Sequence, residues 1–353
     1  MFAVIMAGGR GTRFWPRSRG VMPKQLLDIT GDSTMLQQTV QRISALVPLQ
    51  NILIVTGVDQ AVLAARQVPE LPAENIIIEP VGRNTAACIC LAATRIYRQD
   101  PDAVMLVLPA DHHIGNPDAF RACLAQAATV ARDTGALVTI GIAPAFPETG
   151  YGYIQYDKSC SKNGACRVEQ FHEKPNAERA RQYLFDGNFL WNSGMFIWKA
   201  SVILEAVKQH LPAMHDLLFP LHALWGTAGI EAAIADAYAK VQSISIDYGV
   251  MEKADEVYTL VGDFGWNDIG SWSAIYDISP KDAAGNALRG DVIAVESENC
   301  MVYSPNKLTA IIGLKDIVVV ETGDALLVVP RNRAQDVRKI VEDLELKGRK
   351  EFL

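Results

Sequence analysis

The sequence contains no run near the roughly 20 uninterrupted apolar residues of a membrane-spanning helix. It also lacks a surplus of positive charge. Lys and Arg number 33 against 40 Asp and Glu, for a net charge of −7 and a pI near 5.5. A general nucleic-acid coat is excluded on that balance, because phosphate backbones need clustered positive charge. Any anionic ligand must instead be gripped by local basic groups. The six cysteines (Cys88, Cys90, Cys123, Cys160, Cys166 and Cys300) form no C-x-x-C pair, and the six histidines form no H-x-x-x-H pair. A structural zinc site is therefore not expected, and a chain of 353 residues can bury enough core to need no disulfide scaffold. The apolar start, Met1 to Ala7, has no basic flank and stops at Gly8-Gly9. It reads as a buried strand rather than an export signal, so the cytoplasm is the expected compartment. What remains is an ordinary globular composition, 49% hydrophobic and 21% charged, with length for one large or two ordinary domains.

The first half alternates strand and helix patterns. Apolar runs at 2–6, 51–56, 75–78, 103–108 and 136–141 read as strands. Between them lie helical patterns at 34–47, 59–67, 85–98 and 117–132, the first opened by a Thr34-x-x-Gln37 capping box. Such alternation implies an α/β fold with parallel βαβ units, a sheet covered on both faces, and ligands beyond the carboxyl ends of the strands. The segments 151–156 and 167–172 read as paired strands, 189–198 as a further strand, and 201–210 and 230–238 as helices. After about Asp282 the pattern changes to short strands at 292–295, 300–303, 310–312, 317–321 and 325–329. Regular short strands suggest a small β-rich, β-solenoid-like domain. A closing helix at 334–346 carries Val337, Ile340, Val341 and Leu344 on one face. The expected division is a catalytic domain at 1–281 and a β-rich domain at 282–353.

Five constellations are candidates for chemistry. Gly8-Gly9-Arg10-Gly11-Thr12-Arg13 follows the first strand, with Pro23-Lys24 behind it. The glycines let backbone amides approach phosphate, and Arg10, Arg13 and Lys24 supply charge. No Gly-Lys-Ser/Thr follows, so it is not a Walker A loop, and Phe14 stands where a dinucleotide fingerprint needs its third glycine. Pro109-Ala110-Asp111 places a carboxylate at the end of a buried strand, either as a magnesium ligand or as a cap for the next helix. Gly265-Trp266-Asn267-Asp268-Ile269-Gly270 offers a second carboxylate, or merely an Asx-turn. The segments around Gly152, Glu173-Lys174 and Asn192 are routine hairpins or strands if taken singly. Together they provide carboxylate and amide groups for sugar hydroxyls and a lysine for phosphate. Ile246-Asp247-Tyr248 is a capped helix start or a further ligand contact.

These segments in this order resemble the sugar-phosphate nucleotidyltransferases. The stretches MAGGRGTRFWPRSR, MPKQLL, EPVGRNTA, LVLPADHHI, TGYGYIQ, FHEKP, WNSGMFIW, SIDYGVMEK and GWNDIGSW, from residue 6 to residue 272, are similar to the mannose-1-phosphate guanylyltransferase branch. The chain departs from that pattern at Arg17 and at Gly20-Val21. The resemblance implies a Rossmann-like domain that joins GTP and mannose 1-phosphate into GDP-mannose, releasing pyrophosphate. It implies Arg10, Arg13 and Lys24 at the triphosphate, with Lys24 nearest the α-phosphoryl group. Gly8, Gly9, Gly11, Thr12, Arg83, Asn84 and Pro109 would line the nucleotide, with Gly8 and the Arg83–Thr85 turn near guanine. Asp111 and Asp268 would share Mg2+, Lys174 would pair with the sugar phosphate, and Glu173, Asn192 and the Gly152 backbone would hold mannose. Two such carboxylates repel and call for a cation between them, so Asp→Asn changes are expected to leave folding nearly unaffected. The chain ends at Leu353, where some relatives continue into an isomerase domain, which is accordingly expected to be lacking. The β-rich tail is compatible with a homodimer. Competing readings are another sugar and base (glucose 1-phosphate with dTTP), an idle ligand-sensing paralogue, and a Rossmann oxidoreductase, the last disfavoured by the failed fingerprint.

Overall fold

Five apolar residues, Phe2–Met6, make β1, and their burial on both faces is what a central parallel strand requires. In the computed structural model the described residues are 1–9, 11–159 and 163–353; Arg10 and Cys160 lie outside them. The chain divides into two compact units that do not follow chain order. The first comprises Met1–Gly8, Thr39–Ala110 and Ile114–Trp266, and the second Gly9–Gln38, Asp111–His113 and Asn267–Leu353. The second unit thus crosses the expected border at residue 282, taking in the glycine loop and the Asp111 segment.

The first unit is built on one sheet of nine strands. They are β1, β2 (Ile52–Gly57), β3 (Ile76–Glu79), β4 (Val104–Pro109), β5 (Leu137–Ile142), β6 (Tyr153–Tyr156), β7 (Cys166–His172), β8 (Phe189–Lys199) and β9 (Val257–Gly262). Their spatial order is β3-β2-β1-β4-β8-β5-β9-β7-β6. β3, β2, β1 and β4 are parallel, as the βαβ pattern implies, and β5 pairs parallel with β9. β8 runs antiparallel between β4 and β5, and β6 and β7 are antiparallel. The helix Asn84–Gln99 buries Ala86 to Ala93 without a break. The Ala and Cys side chains of that run are small enough to let the helix lie deep in the core.

In the second unit Phe14, Trp15, Trp272, Tyr303, Val318 and Val337 share one core, with Phe14 edge-on to Trp272 at 5.3 Å. The capping box forms: the Thr34 amide donates to Gln37 Oε1 at 2.9 Å, and the Gln37 amide donates to Thr34 Oγ1 at 3.3 Å. The tail sheet is β10 (Ala287–Val295), β11 (Met301–Ile312), β12 (Ile317–Glu321) and β13 (Leu326–Pro330). The runs expected as two strands at 300–303 and 310–312 are one strand, β11, whose pairing with β10 shifts register between Gly290 and Val292. The closing helix begins later than its pattern suggests. A 3-10 turn, Arg331–Asp336, leads into Val337–Leu346, with Val337 and Val341 buried and Ile340 44% exposed at the stripe's margin. Among the described residues no helix is long and apolar enough to cross a membrane.

Candidate active site

In the second unit the glycine loop leads into the 3-10 turn Thr12–Phe14. Gly11 sits at φ +61°, and a Cβ there would come within 2.7 Å of the Lys24 backbone nitrogen. Only glycine fits, so the loop is folded directly onto the Pro23-Lys24 turn. Gly9 strengthens that closure by accepting a hydrogen bond from Gln25 Nε2 at 3.0 Å. Gly11→Ala is expected to destabilise the chain by about 2 kcal/mol, from left-handed strain plus the clash. A lower urea midpoint at unchanged m-value would register it; an unchanged midpoint would mean the loop is not held this way.

Lys24 is buried, and its ammonium donates to Asp111 Oδ2 at 2.9 Å and to the Asp268 carbonyl at 2.5 Å. Lys24 thus joins the two acidic segments, through a carboxylate oxygen at Asp111 and a backbone carbonyl at Asp268. Burial pushes the Asp111 carboxyl up, but the Lys24 and His112 charges and the Lys24 hydrogen bond outweigh it and hold the group below its ordinary value. The bland alternatives for both carboxylates are taken by neighbours. Asn116 caps the helix Pro117–Thr134 by accepting from the Ala119 amide, so Asp111 does not. Asn267 makes the Asx-turn, accepting from the Ile269 amide at 2.7 Å, so Asp268 does not. Ile269 is fully buried at φ +47°, a costly conformation for a β-branched residue that pins the loop beside Asp268. Both Asp268 carboxylate oxygens and Arg13 Nη1 lie 3.3 Å from where a Gly270 Cβ would stand. Arg13 Nη1 donates to the Gly270 carbonyl at 3.1 Å.

A separate cluster lies in the first unit. Asn192 Nδ2 donates to Asp247 Oδ1 at 2.7 Å, while Asn192 Oδ1 accepts from the Gly194 amide at 3.0 Å, which fixes the amide's orientation. Gly152 accepts from the Asn192 backbone amide, and a Cβ on it would strike Glu173 Oε2 at 2.8 Å. Lys174 Nζ pairs with Glu173 Oε1 at 2.7 Å from a backbone at φ +41°. Burial raises Asp247 above the ordinary carboxylate range; the Asn192 hydrogen bond opposes this and the Glu173 charge adds to it. Tyr151 and Trp191, next to Gly152 and Asn192 in the chain, form an aromatic group with Trp266, with ring centroids 5.3 Å apart from Tyr151 to each tryptophan.

Also in the first unit, Glu79 ends β3 and is buried. Burial pushes its carboxyl up to about 7, against a hydrogen bond that Tyr238 donates to Oε1 at 2.9 Å. Its Oε2 lies 3.5 Å from a Cβ placed on Gly8. Arg83 Nε donates to the Tyr238 carbonyl, and Asn84, at φ +65°, opens the next helix with its side chain accepting from the Thr85 amide. Pro109 ends β4 and is partly exposed, and Thr12 is exposed at the head of its turn.

Comparison with known proteins decides the family. The nucleotidyl transferase model matches residues 2–285, and a MannoseP isomerase/GMP-like beta-helix domain model matches 290–344. This chain belongs to the nucleotidyl transferase family, in the mannose-1-phosphate guanylyltransferase branch. It is 42% identical to the mannose-1-phosphate guanylyltransferase of Escherichia coli K12, over 99% of this chain and 75% of that protein. It is 41% identical to the alginate biosynthesis protein AlgA of Pseudomonas aeruginosa, over 99% and 73%. The crystal structure of a mannose-1-phosphate geranyltransferase from Thermus thermophilus superposes with a TM-score of 0.88 at 36% identity, covering 98% of this chain and 99% of that one.

Sequence reasoning singled out neither Glu79 nor, beyond an open alternative, Asp247 in this transferase. The signal for Glu79 was available: an acid at the carboxyl end of a parallel strand, the same signal that marks Asp111. For Asp247 the local pattern left a capped helix start and a ligand contact equally open, since its partner Asn192 lies 55 residues away. A cavity of about 820 Å3 lined by Ile76, Ile78, Arg95, Trp225 and Ile234 contains none of the residues singled out from the sequence.

Proposed function

We propose that the chain transfers a guanylyl group from GTP to mannose 1-phosphate by in-line attack of the sugar phosphate oxygen on the α-phosphorus, with pyrophosphate leaving. The observation that carries this reading is the buried Lys24 ammonium tying Asp111 to the Asp268 loop, beside Arg13. The nucleophile is already an anion, so no general base is needed and catalysis is positioning plus charge neutralisation. Lys24 and Arg13 balance triphosphate charge, and the Gly9–Thr12 amides approach its oxygens. The hard oxygens of Asp111 and Asp268, with Asp111 held ionised, suit magnesium, which takes one or two carboxylates plus phosphates. When bound by these two residues, magnesium would neutralise charge on the phosphates. Asn192, Glu173, Asp247 and the Gly152 backbone take mannose hydroxyls, and Lys174 exchanges Glu173 for the sugar phosphate. Glu79, next to Gly8, takes the guanine edge, whose N1–H and 2-amino group offer two donors to one carboxylate. We further propose that residues 282–353 act as an accessory β domain on a catalytic domain of residues 1–281, in a cytoplasmic homodimer.

Pyrophosphate release across four nucleotides and several sugar phosphates tests this. GTP should exceed ATP, UTP and dTTP by at least about tenfold in kcat/KM, roughly 1.4 kcal/mol. Equal turnover with dTTP and glucose 1-phosphate would overturn the guanylyl assignment and favour the nearest alternative.

A further inference from the structure

In the second unit the stretch that follows the glycine loop, residues 15–31, is tied to residues 289–352. The Trp15 indole N–H donates to the Phe352 carbonyl at 2.9 Å, and Arg19 pairs with both oxygens of Asp324 at 2.9 and 3.0 Å. Arg289 donates to the carbonyls of Asp28 and Gly31 at 3.0 and 3.1 Å. One contact reaches a residue of the phosphate site. Gln335, on the turn Arg331–Asp336, accepts from Arg13 Nη1 at 3.1 Å, the same nitrogen that donates to the Gly270 carbonyl. The turn is fixed from beneath by Ala334, which is buried, while Gln335 itself is exposed.

Both acceptors on that nitrogen are neutral. A carboxylate in either place would orient the guanidinium but would also cancel its charge. An amide oxygen and a backbone carbonyl orient it and leave the charge available to an anion. Neither Nε nor Nη2 of Arg13 has a hydrogen-bond partner among the described residues. Among the described residues the fork is thus anchored at one nitrogen, with its other donors open. A long side chain that would otherwise sample many rotamers is pre-ordered before any ligand arrives, which lowers the ordering cost of binding.

We infer that Gln335 is a positioning residue of the phosphate site, acting through Arg13, so that the C-terminal β unit sets the triphosphate grip without touching the triphosphate. The inference rests on the reading of Arg13 as a triphosphate ligand.

The test uses the full chain with Gln335→Met, which keeps length and removes the acceptor, and Gln335→Glu, which keeps the acceptor and adds a charge. Arg13→Ala and the double variant Arg13→Ala/Gln335→Met complete the cycle. The readouts are GTP binding by calorimetry without sugar phosphate, KM for GTP against kcat, and thermal melts. Gln335→Met should weaken GTP binding and raise KM about five- to tenfold, with melts unchanged because the side chain is exposed. Gln335→Glu should weaken binding most at low ionic strength, where the added charge is least screened. On the Arg13→Ala background, Gln335→Met should add less than about twofold, because its only route is gone. Unaltered GTP affinity and KM in Gln335→Met, or an undiminished effect on the Arg13→Ala background, would overturn the inference. Failure of the wild type to join GTP to mannose 1-phosphate would refute the proposed function while the GTP-binding arm still decides Gln335. A wild type that binds no nucleoside triphosphate refutes both.

Discussion

Replacing Asp111 or Asp268 by Asn is expected to lower kcat/KM by on the order of 10²–10⁴, the scale of losing a main electrostatic term. Either change removes one of two carboxylates proposed to hold the same ion, so the double variant should be little worse than either single one. Asp111→Asn has a second consequence that the repulsion argument misses. Lys24 is almost wholly buried and would keep the Asp268 carbonyl and a neutral amide oxygen at position 111, but would lose its carboxylate partner. Breaking a fully buried ion pair costs about 3–5 kcal/mol. The Asp111 side chain retains 37% exposure, so solvent screening reduces the expected loss to about 1–2 kcal/mol. Asp268→Asn leaves the Lys24 contact to its backbone in place and should melt closer to the wild type. The acid end follows in sign. The Asp111 carboxyl is held below its ordinary value, so its contribution is present above the unfolded carboxylate range and is lost as pH falls through the lower folded value. Steady-state kinetics under magnesium titration, beside melts without metal, check all of this. Wild-type activity in either variant would remove that residue from the site, and strictly multiplicative losses would separate the two.

Glu79→Gln is expected to lower kcat/KM for GTP about 10²-fold, because an amide can accept only one of guanine's two donors and presents a donor against the other. ATP, which offers no such pair, should change far less. The pH profile supplies an independent check. With its carboxyl pushed up to about 7, Glu79 takes up a proton as pH falls from 8 to 6, and the protonated form is a poorer partner for guanine. KM for GTP should therefore rise across that window in the wild type and stay flat in Glu79→Gln. Stability moves in the opposite sense. Between an ordinary glutamate value of 4.5 and about 7 the folded chain binds more protons at Glu79 than the unfolded chain does, so stability falls as pH rises. Glu79→Gln removes that loss, since Tyr238 can still donate to the amide oxygen. The variant should thus be more stable than the wild type at pH 8, by on the order of 3 kcal/mol. A variant that melts lower at pH 8, or that keeps wild-type GTP selectivity, would show that Glu79 has another role.

The parallel half of the sheet, the buried alanine-rich helix, the Thr34–Gln37 capping box and the glycine loop after β1 were legible in the sequence. Each depends on neighbours three to eight residues apart, a range over which period, cap and turn chemistry act directly. The candidate carboxylates were legible for the same reason, as acids at strand or turn ends. Tertiary structure alone decided which of them matter to one another. Lys24 reaches Asp111 across 87 residues and the Asp268 carbonyl across 244, and Arg13 reaches Gln335 across 322. No local periodicity encodes such pairings. They arise because sheet order and core packing bring distant loops together, and burial then compels each polar group to find a partner. That same burial set the charge state of Glu79, turning an ordinary strand-end acid into one that titrates near neutral pH.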